Sequence, residues 1–313
     1  MKKLKIVFMG TPEFAVPSFL RIADSSHQIV GVVTQPDRPR GRGQTVLPTP
    51  VKKQAQKLSG VPVYQPEKLS DQNFIEQLKS LKADIFVVVA FRILPESVYS
   101  MPPHGTINLH PSLLPKYRGA APVNWTIING EKETGVTIIK ISRQIDSGGI
   151  LAQTRVPVLE NETAGSLHDR LANTGADLLI KTIDSVAGDT LTILPQNESE
   201  ATPAPKLTKE MCHISFDQPV EKVKNWIHGL SPHPGAYAFL DHEMIKFYVA
   251  RIAGKFHKET PPGKIVNPEK GEIHIACNPG IINILELQKQ GKKVLSNAEF
   301  LRGFSFKKDD VFH

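Results

Sequence analysis

Cysteine is scarce in this chain of 313 residues, which contains only Cys212 and Cys277. Two thiols this far apart form neither a disulfide scaffold nor a C-x-x-C metal or redox pair, which points to a reducing, cytoplasmic compartment. Long apolar runs are also missing. The run Ile6–Met9 ends after four residues at Gly10, too short for a signal-peptide core, and no stretch approaches the roughly 20 apolar residues of a membrane span. Gly10-Thr11-Pro12-Glu13 occupies the place of a dinucleotide fingerprint, but G-x-G-x-x-G is absent and no acidic residue clearly ends the second strand, so NAD is not expected. No H-E-x-x-H or paired Cys/His spacing suggests a metal, and no G-x-S-x-G or Cys/His signature suggests a covalent enzyme intermediate.

The charged residues are unevenly placed. The chain carries a formal net charge of +7. Residues 1 to 199 hold 22 Lys and Arg against 18 Asp and Glu, net +4, and residues 36 to 53 alone account for that surplus through Arg38, Arg40, Arg42, Lys52 and Lys53 against Asp37. Residues 200 to 313 hold 16 against 13, a mild surplus of +3. Overall charge speaks to association with anions rather than to fold. The loop Gln35–Pro50 carries three alternating arginines, two beside glycine, with no apolar residue before Val46. Such a run is compatible with a solvated face and with a grip on phosphates.

Length and 40% hydrophobic content are enough for two domains. The first two-thirds alternate apolar runs with helix-like segments: strands are expected at Leu4–Met9, Ile29–Thr34, Asp84–Ala90 and Thr106–Leu109, and helices at 13–23, 48–58, 70–82 and 119–129. This predicts an α/β fold built on a mostly parallel, Rossmann-like sheet covered on both faces. A hairpin over 134–142 and 150–158 and a long helix over 164–187 follow. Residues 196–206 lack apolar periodicity and contain prolines, and read as an extended linker between a domain at 1–195 and a second at 207–313. The second shows a helix near Val220–Gly229, short strands at 236–240, 244–253, 271–276 and 281–288, and a capping box at Ser296…Glu299, a pattern of a small β-barrel or sandwich.

Chemistry concentrates at Asn108-Leu-His-Pro-Ser-Leu-Leu-Pro-Lys-Tyr-Arg-Gly119 and at Asp146 in Gln-Ile-Asp-Ser-Gly-Gly. Side chains two apart on a strand share a face, so Asn108 and His110 converge on one substrate. The Asn108 amide can stabilise a developing oxyanion, His110 can carry protons near neutral pH, and Asp146 can orient the imidazole. Pro111 and Pro115 stiffen an irregular wall, Ser112, Leu113, Leu114 and Pro115, suited to a flat heteroaromatic ligand.

This run resembles the formyltetrahydrofolate-dependent formyltransferases. Met9-Gly-Thr-Pro-Glu-Phe-Ala-Val-Pro17, Thr34-Gln-Pro-Asp-Arg-Pro-Arg-Gly-Arg-Gly43 and Lys206-Leu-Thr-Lys-Glu-Met211 resemble its tRNA-directed branch. The resemblance implies formyl transfer from 10-formyltetrahydrofolate, a cosubstrate, to the α-amino group of initiator methionyl-tRNA in translation initiation. It implies a catalytic triad of Asn108, His110 and Asp146, and a folate site on Ser112–Pro115 with Phe91, Arg92 and Ile93. It further implies an acceptor pocket at Phe14, tRNA contacts from Arg38, Arg40 and Arg42, an OB-like tRNA-binding second domain, no metal, and a monomer. Arg92 stands where relatives more often carry glycine, Arg143-Gln144-Ile145 where an acidic-glycine-leucine sequence is usual, and His233 where Trp is common. A formyltransferase acting on a small amine such as an amino sugar, and a non-catalytic tRNA-binding protein, are the competing readings.

Overall fold

The computed structural model describes residues 2–40, 45–254, 260–266, 271–307 and 309–313, with the Arg40 side chain excepted. The chain forms two compact units, one of Met1–Gly119, Thr134–Val156 and His168–Pro203, the other of Ala120–Glu133, Pro157–Leu167 and Ala204–His313.

The first unit is built on a seven-stranded sheet. Its order from one edge is Ile150–Pro157, Glu133–Lys140, Thr106–His110, Ile85–Val89, Lys5–Gly10, Gln28–Val33 and Val63–Tyr64. The last five pair in parallel, and Thr106–His110 meets Glu133–Lys140 antiparallel, with His110 opposite Thr137. Ile85–Val89 is buried at every position, which explains its unbroken apolar sequence: a parallel strand covered on both faces has no solvent side. Gly10 ends the first strand because a Cβ there would lie 2.8 Å from Ala15 Cβ and 3.0 Å from Val89 O. Thr49 and Asp71 cap the helices Pro50–Ala55 and Gln72–Ser80 by accepting from Lys52 N and Phe74 N.

Lys5–Gly10 lies between Gln28–Val33 and Ile85–Val89, so the strand order reverses direction there. The segments beyond the carboxyl ends of Lys5–Gly10, Ile85–Val89 and Thr106–His110 therefore emerge side by side at the sheet's topological switch point.

Two segments differ from their sequence reading. Residues 35–50 are not simply a loop: Arg38–Arg40 and Thr45–Leu47 pair as an antiparallel ribbon. Residues 196–205 do not hang free. Glu198–Glu200 forms a 3-10 turn, Arg118 N donates to Thr202 O at 2.9 Å, and Tyr117 N donates to Thr202 Oγ1 at 2.9 Å. A segment poor in apolar residues is held here by hydrogen bonds, which periodicity does not register.

The second unit carries a six-stranded antiparallel sheet curled as a half-barrel. Its main path is Ala236–Leu240, Glu243–Gly254, Gly280–Lys289, Ile273–Cys277 and Ile265–Val266, with Leu295–Ser296 pairing Gly280–Lys289. Phe216, Ile245, Phe247, Ile273, Ile275, Ile282, Ile284 and Phe312 fill its core. The capping box forms as read, with Ser296 and Glu299 satisfying each other's backbone N–H.

The helix Pro122–Ile128 belongs to this unit although it lies far earlier in sequence. Ile128 enters the half-barrel's core, and Trp125 meets Trp226 edge to face at 5.8 Å. Asn124 Nδ2 donates to Gly229 O at 2.7 Å. Each compact unit is thus discontinuous in sequence.

Candidate active site

Asn108 and His110 lie on Thr106–His110, flanked by Val88 and Ile139 in register with Asn108. Asn108 is half-buried, and among the described residues its amide has no hydrogen-bond partner. A polar group held on a rigid central strand and left unpaired is suited to receive a substrate, because a donor already engaged would have to break a bond first.

His110 is 4% exposed. Its Nε2 lies 2.9 Å from Tyr117 O, and its Nδ1 lies 3.6 Å from Asp146 Oδ2. A carbonyl only accepts, so in this contact Nε2 is the donor. Nδ1 faces the carboxylate. At 3.6 Å the pair is an ionic contact rather than a hydrogen bond. Asp146 Oδ2 also accepts from Gly119 N at 3.0 Å. The structure thus brings His110 and Asp146 together.

Asp146 sits on an exposed turn with a positive φ of 53°, a conformation that Asp tolerates better than most residues. Gly148 lets this turn approach the sheet: a Cβ would fall 1.7 Å from Lys140 O. Gln196 Nε2 donates to Asp146 O at 2.8 Å and to Gly148 O at 2.7 Å. Arg118 holds Gln196 Oε1 through Nε at 3.1 Å and Nη2 at 2.7 Å, and grips Glu198 with two bonds of 2.8 Å. The Glu198 hydrogen bonds raise the pKa of Arg118 against the opposing effect of burial, and Arg118 in turn holds Glu198 below the usual carboxylate range.

The wall after His110 is more internally committed than its sequence suggests. Ser112 and Leu114 are buried. Thr137 Oγ1 donates to Ser112 O at 2.6 Å and accepts from Leu114 N at 3.2 Å, while Gln153 Nε2 reaches Leu114 O at 3.0 Å. Ser112 Oγ donates to Lys116 O at 2.7 Å. Leu113 and Pro115 remain partly exposed. On the neighbouring strand's exit, Phe91 is half-buried and Ile93 is 74% exposed. Arg92 donates to Pro66 O at 2.7 Å and Glu67 O at 2.9 Å and lies 5.4 Å over the Phe91 ring. Burial lowers its pKa, partly offset by Glu67. Arg92 thus ties two loops of the first unit together.

Phe14, 4% exposed, packs against His168 with ring centroids 5.0 Å apart. Arg38 is exposed on the ribbon. The Arg40 side chain and Arg42 lie outside the described residues. Lys52, part of the basic surplus, is paired with Asp37 and also donates to Gln65 Oε1 at 2.6 Å. Burial would raise the Asp37 pKa, but hydrogen bonds from Lys52 and Gln65 outweigh it and hold the carboxyl below its ordinary value.

Sequence reasoning missed Thr137, Gln153, Arg118, Gln196 and the Tyr117 carbonyl. Only Tyr117 and Arg118 lie inside a run that the sequence singles out. The others act through backbone contacts that carry no periodic signal.

The observations are a His–Asp pair at the carboxyl end of a central strand near the switch point, in a mostly parallel-sheet unit accompanied by a unit with an antiparallel half-barrel. The chain belongs to the formyl transferase family: the model described as formyl transferase matches residues 4–183, and that of the formyl transferase C-terminal domain matches 206–305. The chain is 44% identical over 309 residues to methionyl-tRNA formyltransferase of Alkaliphilus oremlandii, covering 98% of this chain and 99% of that protein. It is 43% identical over 305 residues to the enzyme of the same name from Geobacter sulfurreducens, covering 97% and 95%. Among solved structures, an N-formyltransferase from Helicobacter canadensis in complex with folinic acid and dTDP-3-aminofucose has the same fold, with a TM-score of 0.68, 23% identity, and coverage of 91% of this chain and 99% of that one. HypX from Aquifex aeolicus in complex with tetrahydrofolic acid superposes with a TM-score of 0.66 at 17% identity, covering 99% of this chain, which spans 50% of the HypX chain.

Proposed function

We propose that this protein transfers a formyl group from 10-formyltetrahydrofolate to the α-amino group of methionine on initiator tRNA, acting as a cytoplasmic monomer. The observation that carries the reading is identity of 44% across essentially the whole of a methionyl-tRNA formyltransferase, together with a partnerless Asn108 amide beside His110 and Asp146.

The donor supplies an activated formyl carbon. The residues beyond the carboxyl ends of Ile85–Val89 and Thr106–His110 fit a flat heteroaromatic donor: Phe91, Ile93, Leu113 and Pro115 offer exposed or partly exposed apolar surface, and the segment Ser112–Leu114 is held by hydrogen bonds. The free Asn108 amide donates to the formyl oxygen as negative charge builds there during attack by the amine. His110, fixed by the Tyr117 carbonyl at Nε2, exchanges a proton at Nδ1. Asp146 steadies the imidazolium and takes part in removing the amine proton. One C–N bond forms, another breaks, and the proton lost by the amine is balanced by the proton gained at the leaving nitrogen. Phe14 lies beyond the first strand, where it shapes the pocket for the methionyl side chain, and the arginine ribbon contacts tRNA phosphates.

The test incubates the purified protein with 10-formyltetrahydrofolate and either methionyl-tRNA or a nucleotide-linked amino sugar. Formylmethionine released from the tRNA arm alone is the expected result. Product in the sugar arm alone gives the chain to the small-amine reading, and none in either makes it a binding protein.

A further inference from the structure

The Asp146 side chain is 13% exposed, yet the chain that leads to it is not packed into a core. Residues 142–145, which lead into its turn, are exposed, so apolar packing does not fix where the carboxylate lies. The turn is instead fastened by hydrogen bonds, and the side chain that makes two of them comes from a stretch that reads in sequence as a linker.

We propose that Gln196 is a positioning residue for formyl transfer: its primary amide sets the Asp146 turn, and through it the distance from Asp146 to His110. This rests on the formyltransferase reading of the site. Both amide hydrogens are committed to Asp146 O and Gly148 O at 2.8 and 2.7 Å, and the amide oxygen is committed to Arg118. The amide cannot be flipped without facing nitrogen to the guanidinium and oxygen to two carbonyls. Arg118 is itself fixed by two bonds to Glu198, at a backbone position one residue before Gly119, whose N–H holds the Asp146 carboxylate. Arg118 and Gln196 thus locate Asp146 from both sides, one through the carboxylate's backbone donor and the other through the turn's carbonyls.

The His110–Asp146 separation of 3.6 Å leaves no margin, because a further displacement of about 1 Å separates a pair that catalysis needs and costs on the order of 10²-fold in rate. The folate wall is anchored separately, through Thr137 and Gln153. Loss of Gln196 should therefore appear in kcat and not in the KM for folate. A role confined to stability would alter neither in the folded fraction.

The experiment is a double-mutant cycle. Gln196→Ala is made alone and in an Asp146→Ala background, with single-turnover formylation of methionyl-tRNA, folate KM and thermal melting measured for all four proteins. In the native background Gln196→Ala should lower kcat by about 10- to 100-fold with folate KM within about 2-fold. In the Asp146→Ala background it should change the rate by less than about 2-fold, because the group it positions is gone. Equal losses in both backgrounds, or no loss in the native one, overturn the proposal. If Gln196→Ala does not fold, Glu198→Ala, at a side chain 66% exposed, replaces it. It loosens Arg118 and should give a loss of about 3-fold, again absent without Asp146, with the same overturning results. An inactive native protein would instead refute the formyltransferase reading itself.

Discussion

The two units each bury a histidine almost completely, His110 at 4% exposure and His228 at 1%, and the two rings have opposite fates. His228 lies on the helix Val220–Gly229, with Nε2 3.1 Å from Ala250 N and 2.9 Å from Ala250 O and a further backbone hydrogen bond to Glu162. Burial, then the nearby Lys224 charge, push its pKa down to about 4, so it is a neutral strut at physiological pH. His110 instead has a carbonyl on one nitrogen and a carboxylate facing the other. Depth alone does not decide a histidine's surroundings. The ring that props the second core is surrounded by backbone, whereas His110, the proton carrier proposed above, faces an acid two residues along its strand from Asn108.

Substitutions can break this contrast. His110→Ala should lower kcat by roughly 10²- to 10⁴-fold and Asn108→Ala by about 10²- to 10³-fold, read from single-turnover formylation. Asn108→Ala should leave the melting temperature unchanged, since no partner among the described residues is orphaned; a large drop would make Asn108 structural. His228→Ala should do the reverse, costing about 2–4 kcal/mol in urea unfolding of the second unit through its cavity and the stranded Ala250 N–H. Turnover per folded molecule should persist.

Acid sharpens it. An unfolded chain protonates His228 near its ordinary value of 6.5, whereas the folded unit does so only near 4. Stability contributed by the neutral ring is therefore present above pH 6.5 and is lost as the pH falls toward 4, by about 3 kcal/mol at most. His228→Gln should flatten that part of the pH–stability curve, and a curve of unchanged slope would contradict the assignment. The smallest effect concerns the ribbon. Replacing Arg38, Arg40 and Arg42 by Ala should reduce the salt slope of tRNA binding by about 0.7–0.9 for each phosphate no longer neutralised, with folate KM unchanged. An unaltered slope would leave the ribbon as a solvated surface.

Much of this is legible in the chain. The alternation of apolar runs and helical segments gives the parallel sheet because strands buried on both faces leave unbroken apolar sequence. Asn108 and His110 are legible because a period of two needs no tertiary knowledge. The ribbon at Arg38–Arg40 is not, because its strands are three residues long and exposed, too short for an alternation of buried and exposed positions, and the Lys52 charge looks free in sequence because its partner Asp37 is 15 positions away. Gln196 sits among polar residues and prolines, where hydrogen bonds to backbone leave no compositional trace. Pro122–Ile128 shows that it has an apolar side, but not which of two cores that side enters.

That helix has a consequence for synthesis. Its partners on Val220–Gly229 emerge about ninety residues later, which at roughly 5–20 residues per second is a delay of roughly 5–20 s on the ribosome. Over that interval Val123, Ile127 and Ile128 have no finished core to enter, while the strands on either side of them already can pair. The nascent chain must therefore carry the apolar side of Pro122–Ile128 uncovered until its last third arrives.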